Sequence, residues 1–296
     1  QGGVAALFDH AGTGAEILVE DVVAPEILGG RLHAAPLAWF LDGDWPRRFE
    51  IGFTAAVDRA APRQVFTTGQ TRRRETAISV VGGDVSVRLI DASRVRLTPY
   101  VDLLGMDGEP GLHAGIASAF ALSEKNDVEL GARGEYRYSG SDYHPNLFDP
   151  FYDHNRRFYT RDPAGSGRLT FADHLAERED PTAHGGMLDL ALSVGEVVRF
   201  GARYDAEGRR RPHWVLFHLE VSPSEALSVG AFYAGQDLAG GAGLFSWDAL
   251  YGASVRGRIW GPLRAFTSFT RRYRRVGGAT ELANETGVGI GILLEY

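Results

Sequence analysis

The chain has 296 residues, 44% of them hydrophobic and 23% charged, with a formal net charge of −7 and no cysteine. The acidic balance argues against nucleic acid as a partner. The lack of thiols removes disulfide and cysteine chemistry, and no continuous apolar run reaches the ~18 residues that a membrane helix needs. Of the 31 basic residues only Lys125 is lysine; the rest are arginines, whose planar fork matches phosphate.

Taken in order, strand-like segments fall at 31–41, 47–59, 76–90, 95–105, 110–122, 127–139, 186–194, 197–206, 213–221, 226–236, 247–260, 263–274 and 282–296. Part of residues 2–24, either VAALFDHA or AEILVEDVV, is expected to add one more. Most run to about ten residues, the length of a tilted strand that crosses a bilayer. Their alternation is two-sided. Phe49, Ile51, Phe53, Ala55 and Val57 share one face, with Glu50, Thr54 and Asp58 on the other. Val95, Leu97, Pro99, Val101 and Leu103 alternate with Arg96, Thr98, Tyr100 and Asp102. Val128, Leu130, Ala132, Tyr136 and Tyr138 alternate with Glu129, Arg133, Glu135 and Arg137, and Val198, Phe200, Ala202 and Tyr204 with Arg199, Arg203 and Asp205. Charge on the second face of strand after strand means that this face is wet or ion-paired, which the apolar core of a soluble sandwich would not be.

The connections alternate in length. Short ones are expected at 42–46, 91–94, 123–126, 195–196, 222–225 and 261–262; longer ones at 60–75, 106–109, 140–185, 207–212, 237–246 and 275–281, with 106–109 the shortest of that set. Short turns at one end and long loops at the other is the arrangement of outer-membrane barrels. The last segment, GVGIGILLEY, alternates Val288, Ile290, Ile292 and Leu294 with small residues and ends on the aromatic Tyr296, as a closing barrel strand does at the membrane interface. The opening at Gln1 is what removal of an export leader leaves, and trimming would leave the same.

On these features the chain resembles bacterial outer-membrane barrels of the porin type, over about residue 30 to Tyr296. The resemblance lies in architecture and not in a specific motif. It implies an all-β fold, a transmembrane antiparallel up-and-down β-barrel of about fourteen strands with twelve as runner-up. It also implies one domain over 1–296, located in the bacterial cell outer membrane. The expected function is a porin-like passive channel for small hydrophilic solutes. The alternative is a structural barrel that anchors or gates a trans-envelope machine of the motility or secretion type, with little conduction of its own.

Glu50, Arg96, Asp102, Glu129, Arg133, Arg199, Arg203, Glu220 and Arg256 are expected to line the pore. The external segment 140–185 is too long for a plain turn. Its Phe148, Phe151, Tyr152, Phe158 and Tyr159 are too apolar to stand in water together and are expected to form a constriction at the mouth. Phe171 to Glu179 can form a short amphipathic helix. Arg72, Arg73, Arg74, Arg210 and Arg274, read as loop tips, are expected to contact lipopolysaccharide phosphates. Expected partners are outer-membrane lipid and lipopolysaccharide and, in the alternative reading, other envelope proteins. Asp142, His144, Asp149, Asp153 and His154 have oxygen and nitrogen donors but no recognised cation-binding order. His218, Ser228 and Glu220 can be drawn as a triad, yet no nucleophile motif surrounds Ser228. No catalytic, metal or cofactor site is therefore expected, and no enzymatic activity.

Overall fold

In a computed structural model the chain is all-β. The structure describes residues 4–10, 13–19, 26–67, 70–123, 125, 127–141, 143–144, 160–161, 168–170, 172, 182–207, 213–224, 226–236, 249–260, 263–276 and 279–292. Strands β1 (Val4–His10), β2 (Thr13–Val19) and β3 (Ile27–Ala34) precede two 3-10 turns, Pro36–Trp39 and Pro46–Arg48. Then come β4 (Phe49–Thr67), β5 (Gln70–Val87), the two-residue β6 (Ile90–Asp91), β7 (Val95–Met106), β8 (Glu109–Ser123) and β9 (Val128–Ser139). β10 (Thr160–Arg161) and β11 (Arg168–Leu169) form a small separate ribbon. The chain continues as β12 (Ala183–Val194), β13 (Val198–Glu207), β14 (Trp214–Ser224), β15 (Leu227–Gln236), β16 (Leu250–Trp260), β17 (Leu263–Val276) and β18 (Ala279–Ile292).

Fifteen strands pair antiparallel in one sheet, in the order β1-β2-β3-β4-β5-β7-β8-β9-β12-β13-β14-β15-β16-β17-β18, with β6 attached to β7. Among these long strands each joins its sequence neighbour, the pattern that short connections dictate. The turn at Asp107–Gly108 shows the local cause. Both residues have positive φ, 49° and 98°, the pair of left-handed conformations that a two-residue hairpin needs. The Asp107 carboxylate then accepts bonds from the Ser79 amide and hydroxyl, each at 3.0 Å. By packing, the chain divides into two compact units: Gln1–Leu89, Thr98–Gly115 and Tyr136–His184 in the first, and Ile90–Leu97, Ile116–Glu135 and Gly185–Tyr296 in the second.

Several expectations are corrected. Both N-terminal segments are strands, pairing from Val4 opposite Val19 to His10 opposite Thr13, so the sheet has fifteen strands where about fourteen were expected. The segment read as a strand over 31–41 is β3 only to Ala34, because Pro36 offers no donor and starts a 3-10 turn. The supposed loop 60–75 is largely strand. β4 shifts register between Asp58 and Ala61, where the Asp58 carboxylate accepts the Ala60 amide at 2.9 Å, and then pairs with β5 as far as Thr67 opposite Gln70. A bulge of this kind is where a strand tolerates a proline such as Pro62. The loop 275–281 likewise shrinks, with Val276 paired to Ala279. Of the helix expected at 171–179, Ala172 is described and is helical, and the rest lies outside the described residues.

Within each unit the two sheet faces differ. In the first, Leu32, Ile51, Phe53, Val81, Val85, Val101 and Leu103 are exposed on the apolar face, while Asp58, Ile78 and Met106 on the opposite face are buried. In the second, Leu188, Leu190, Phe200, Tyr204, Leu219, Val229 and Val255 are exposed. A soluble sandwich buries such a face; here large apolar side chains are its exposed ones.

Candidate functional site

The polar faces carry the chemistry. In the first unit Arg31 on β3 meets Asp84 on β5, Nη2 to Oδ1 at 2.8 Å, and its Nη1 lies 3.4 Å from Thr54 Oγ1 on β4. Asp84 can lie across β4 because Gly52 leaves the space that a Cβ would fill. Glu50, opposite Ser86, and Asp102, opposite Asp84, share this face by register.

Toward the end from which the long segment leaves, the same face turns apolar. Ile27, Ala61, Ile78 and Met106 form a buried cluster with Tyr143 and Ala172, and Val80 and Leu104 pack against it. Tyr143 and Ala172 belong to the segment 140–185, so part of that segment packs onto the sheet. The anchor is local. Gly140 donates to the Pro110 carbonyl at 2.8 Å and Tyr143 to the Gly140 carbonyl at 3.3 Å. The Tyr143 ring occupies the space left by Gly111, and its hydroxyl lies 3.3 Å from His113 Nε2. Sequence reading missed Tyr143, Ala172 and Gly111. The available signal was a glycine at a position of β8 where the alternation asks for a side chain.

In the second unit the polar face is ion-paired. Arg96 donates to Glu129 at 2.6 Å and Arg203 to Asp205 at 2.9 Å. Arg133 donates to Glu135 at 2.6 Å, and the Glu135 side chain is fully buried. Arg199 stands opposite Glu220 on β14, and Arg256 opposite Ser228 on β15. Half-exposed pairs such as Arg96–Glu129 contribute little each. Glu135 is different, because a buried carboxylate that loses its cation is costly. All nine expected pore residues fall on strands, and Arg96, Glu129, Arg133, Arg203 and Glu220 are among those that make side-chain bonds.

The imagined triad has a different geometry. Ser228 donates to Glu220 Oε1 at 2.7 Å, and the His218 ring lies over Gly201 of β13. The serine proton thus goes to a carboxylate on the next strand.

Phe148, Phe151, Tyr152, Phe158 and Tyr159 lie outside the described residues, as do Asp142, Asp149, Asp153, His154 and Arg210. Arg72, Arg73 and Arg74 are not at a loop tip: their backbones sit in β5 opposite Val65, Gln64 and Arg63. Arg274 is in β17 opposite Glu281. His144 is buried next to the anchored Tyr143. Compared with known families and with curated proteins, the chain matches no family model and no curated sequence.

Proposed function

We propose that this chain is an integral outer-membrane β-barrel that acts as a porin-like passive channel for small hydrophilic solutes, without catalytic activity and without a cofactor. One observation carries the reading: most of the sheet's exposed large apolar side chains lie on one face, with Leu18 and Phe266 as exceptions, and its ion pairs gather on the other. A lipid-facing apolar face and a wet, charged lumen give that distribution. Its lipid contacts are the bilayer and lipopolysaccharide of the bacterial outer membrane.

A barrel leaves no open sheet edge in lipid, where each unsatisfied backbone group costs several kcal/mol. Counting along the sheet, β1 and β18 are the first and fifteenth strands and run in the same direction. Antiparallel closure with an even strand number therefore joins β2 to β18 and displaces β1, giving a fourteen-stranded barrel over the single domain 1–296. Planar-bilayer recording on the purified full chain tests the function. Stepwise conductance that rises with salt supports a channel.

A second reading has its own observation. Tyr143 and Ala172 pack on Ile78 and Met106 and make an apolar plug on the otherwise polar face. A lumen filled there suits a structural barrel that anchors or gates a trans-envelope machine. Silent bilayers, with and without the long segment, would put that reading first.

A further inference from the structure

The connection between β3 and β4 carries a surface that a channel does not need. Residues 36–48 read PLAWFLDGDWPRR, with a 3-10 turn starting at each proline. The connection is folded. The Phe40 and Leu41 amides donate to the Leu37 carbonyl at 3.2 and 3.0 Å, and Arg48 to the Trp45 carbonyl at 3.0 Å. The two 3-10 turns lie against each other, and the Arg88 guanidinium donates to the Arg47 carbonyl at 2.7 Å. Yet Trp39, Phe40, Leu41 and Trp45 are 61, 81, 55 and 63% exposed. The fold thus holds four large apolar side chains outward on an ordered turn. Between them the tip Asp42–Gly43–Asp44 is exposed and polar, with Gly43 at a φ of 105° that its lack of a Cβ permits, and Arg47 is exposed just after it.

We infer that this connection is an interfacial foot, seated in the lipid headgroup layer at the short-turn end of the barrel. Trp39, Phe40, Leu41 and Trp45 enter the boundary between headgroups and acyl chains, while Asp42 and Asp44 stay in water and Arg47 meets water or phosphate. Two features select lipid over a protein partner. The patch continues directly from the apolar face, since Leu32 on β3 and Ile51 and Phe53 on β4 are exposed on either side of it in the chain. Its composition, with indole rings and both signs of charge within a few residues, matches what the interface stabilises. The inference rests on the membrane reading above, and the test separates the two.

The full chain is folded into phosphatidylcholine vesicles whose acyl chains carry bromine either near the carbonyl or deep in the tail. Trp214, Trp247 and Trp260 are replaced by Phe, which leaves Trp39 and Trp45 as the emitters. A second protein has no native Trp and carries Phe200→Trp on the apolar face. The foot predicts loss of Trp39 and Trp45 emission with shallow bromine and little loss with deep bromine or aqueous acrylamide. Phe200→Trp should lose emission with deep bromine. If Phe200→Trp is quenched by lipid while Trp39 and Trp45 answer only to acrylamide, the foot is wrong and the patch faces water or another protein. If Phe200→Trp is not quenched either, the membrane reading fails with it. Should the replaced proteins not fold, W39F/W45F in the otherwise native chain must remove the shallow-quenched part of the emission; an unchanged profile overturns the foot.

Discussion

Arg31 on β3 reaches Asp84 on β5 across the intervening strand, Nη2 to Oδ1 at 2.8 Å, because Asp84 lies over Gly52 of β4 where no side chain stands. Three strands are tied by one pair and one absence. The pair exists only when β3, β4 and β5 are in the register His33 opposite Gly52 opposite Asp84.

That register is open to measurement. Arg31→Met and Asp84→Asn should couple in a double-mutant cycle by about 1 kcal/mol, modest because water reaches the arginine. Gly52→Val should abolish the coupling by pushing the carboxylate away. The readout is denaturant unfolding of the protein in vesicles, and additive single mutants would mean that the pair is not formed.

The apolar face predicts a depth-dependent cost. Val101→Arg or Phe200→Arg should destabilise the inserted protein by about 2–4 kcal/mol if the site lies near the bilayer midplane, and less near the interfaces. The same unfolding assay reads it. A soluble protein whose exposed Val101 and Phe200 stand in water would lose almost nothing.

Segment 140–185 should restrict the mouth. Deleting 145–159 is expected to raise single-channel conductance and leave the barrel stable to heat, because the Tyr143 anchor precedes the deletion. Gly111→Val should have a related effect from the other side: its side chain takes the space of the Tyr143 ring, so limited proteolysis within 145–159 should speed up. Unchanged conductance after the deletion would show that the constriction is elsewhere.

Closure can be tested by cross-linking. A cysteine at Val288 on β18, exposed on the apolar face, is scanned against single cysteines along β2 and then along β1. Cross-links to β2 are expected. Cross-links to β1 instead would mean a fifteen-stranded barrel closed by a parallel pair, which hydrogen-bonds slightly less well.

Sidedness follows from the connections. Cysteine at Ser166, within the long segment, should react with an impermeant maleimide on intact cells, and cysteine at Ser93, in a short turn, should not. Labelling at Ser93 alone would reverse the topology.

Much of the fold was legible because a strand's side-chain period is two. Ile51 and Phe53, or Val101 and Leu103, announce an apolar face from their own neighbours, and the structure exposes each of them. The connection at 106–109, read as the shortest of the longer set, is a two-residue hairpin turn at Asp107–Gly108. The ends of β4 and β5 were not legible. Pro62 and the run Arg72–Arg73–Arg74 look like a loop locally, and only pairing of one strand with the other carries both to Thr67 and Gln70. The N-terminal strand count failed for the same reason, since seven residues such as Val4–His10 are ambiguous until β2 lies beside them.

The candidate site divides along the same line. Which residues face the polar side was set by the sequence alone, since alternation is a property of adjacent residues. Which of them meet was decided by the tertiary structure. Arg31 finds Asp84 at a separation of 53 residues, and Tyr143 finds the space beside Gly111 from the far side of β9. Such contacts depend on register between strands, and register is a cooperative property of the whole sheet that no single segment encodes.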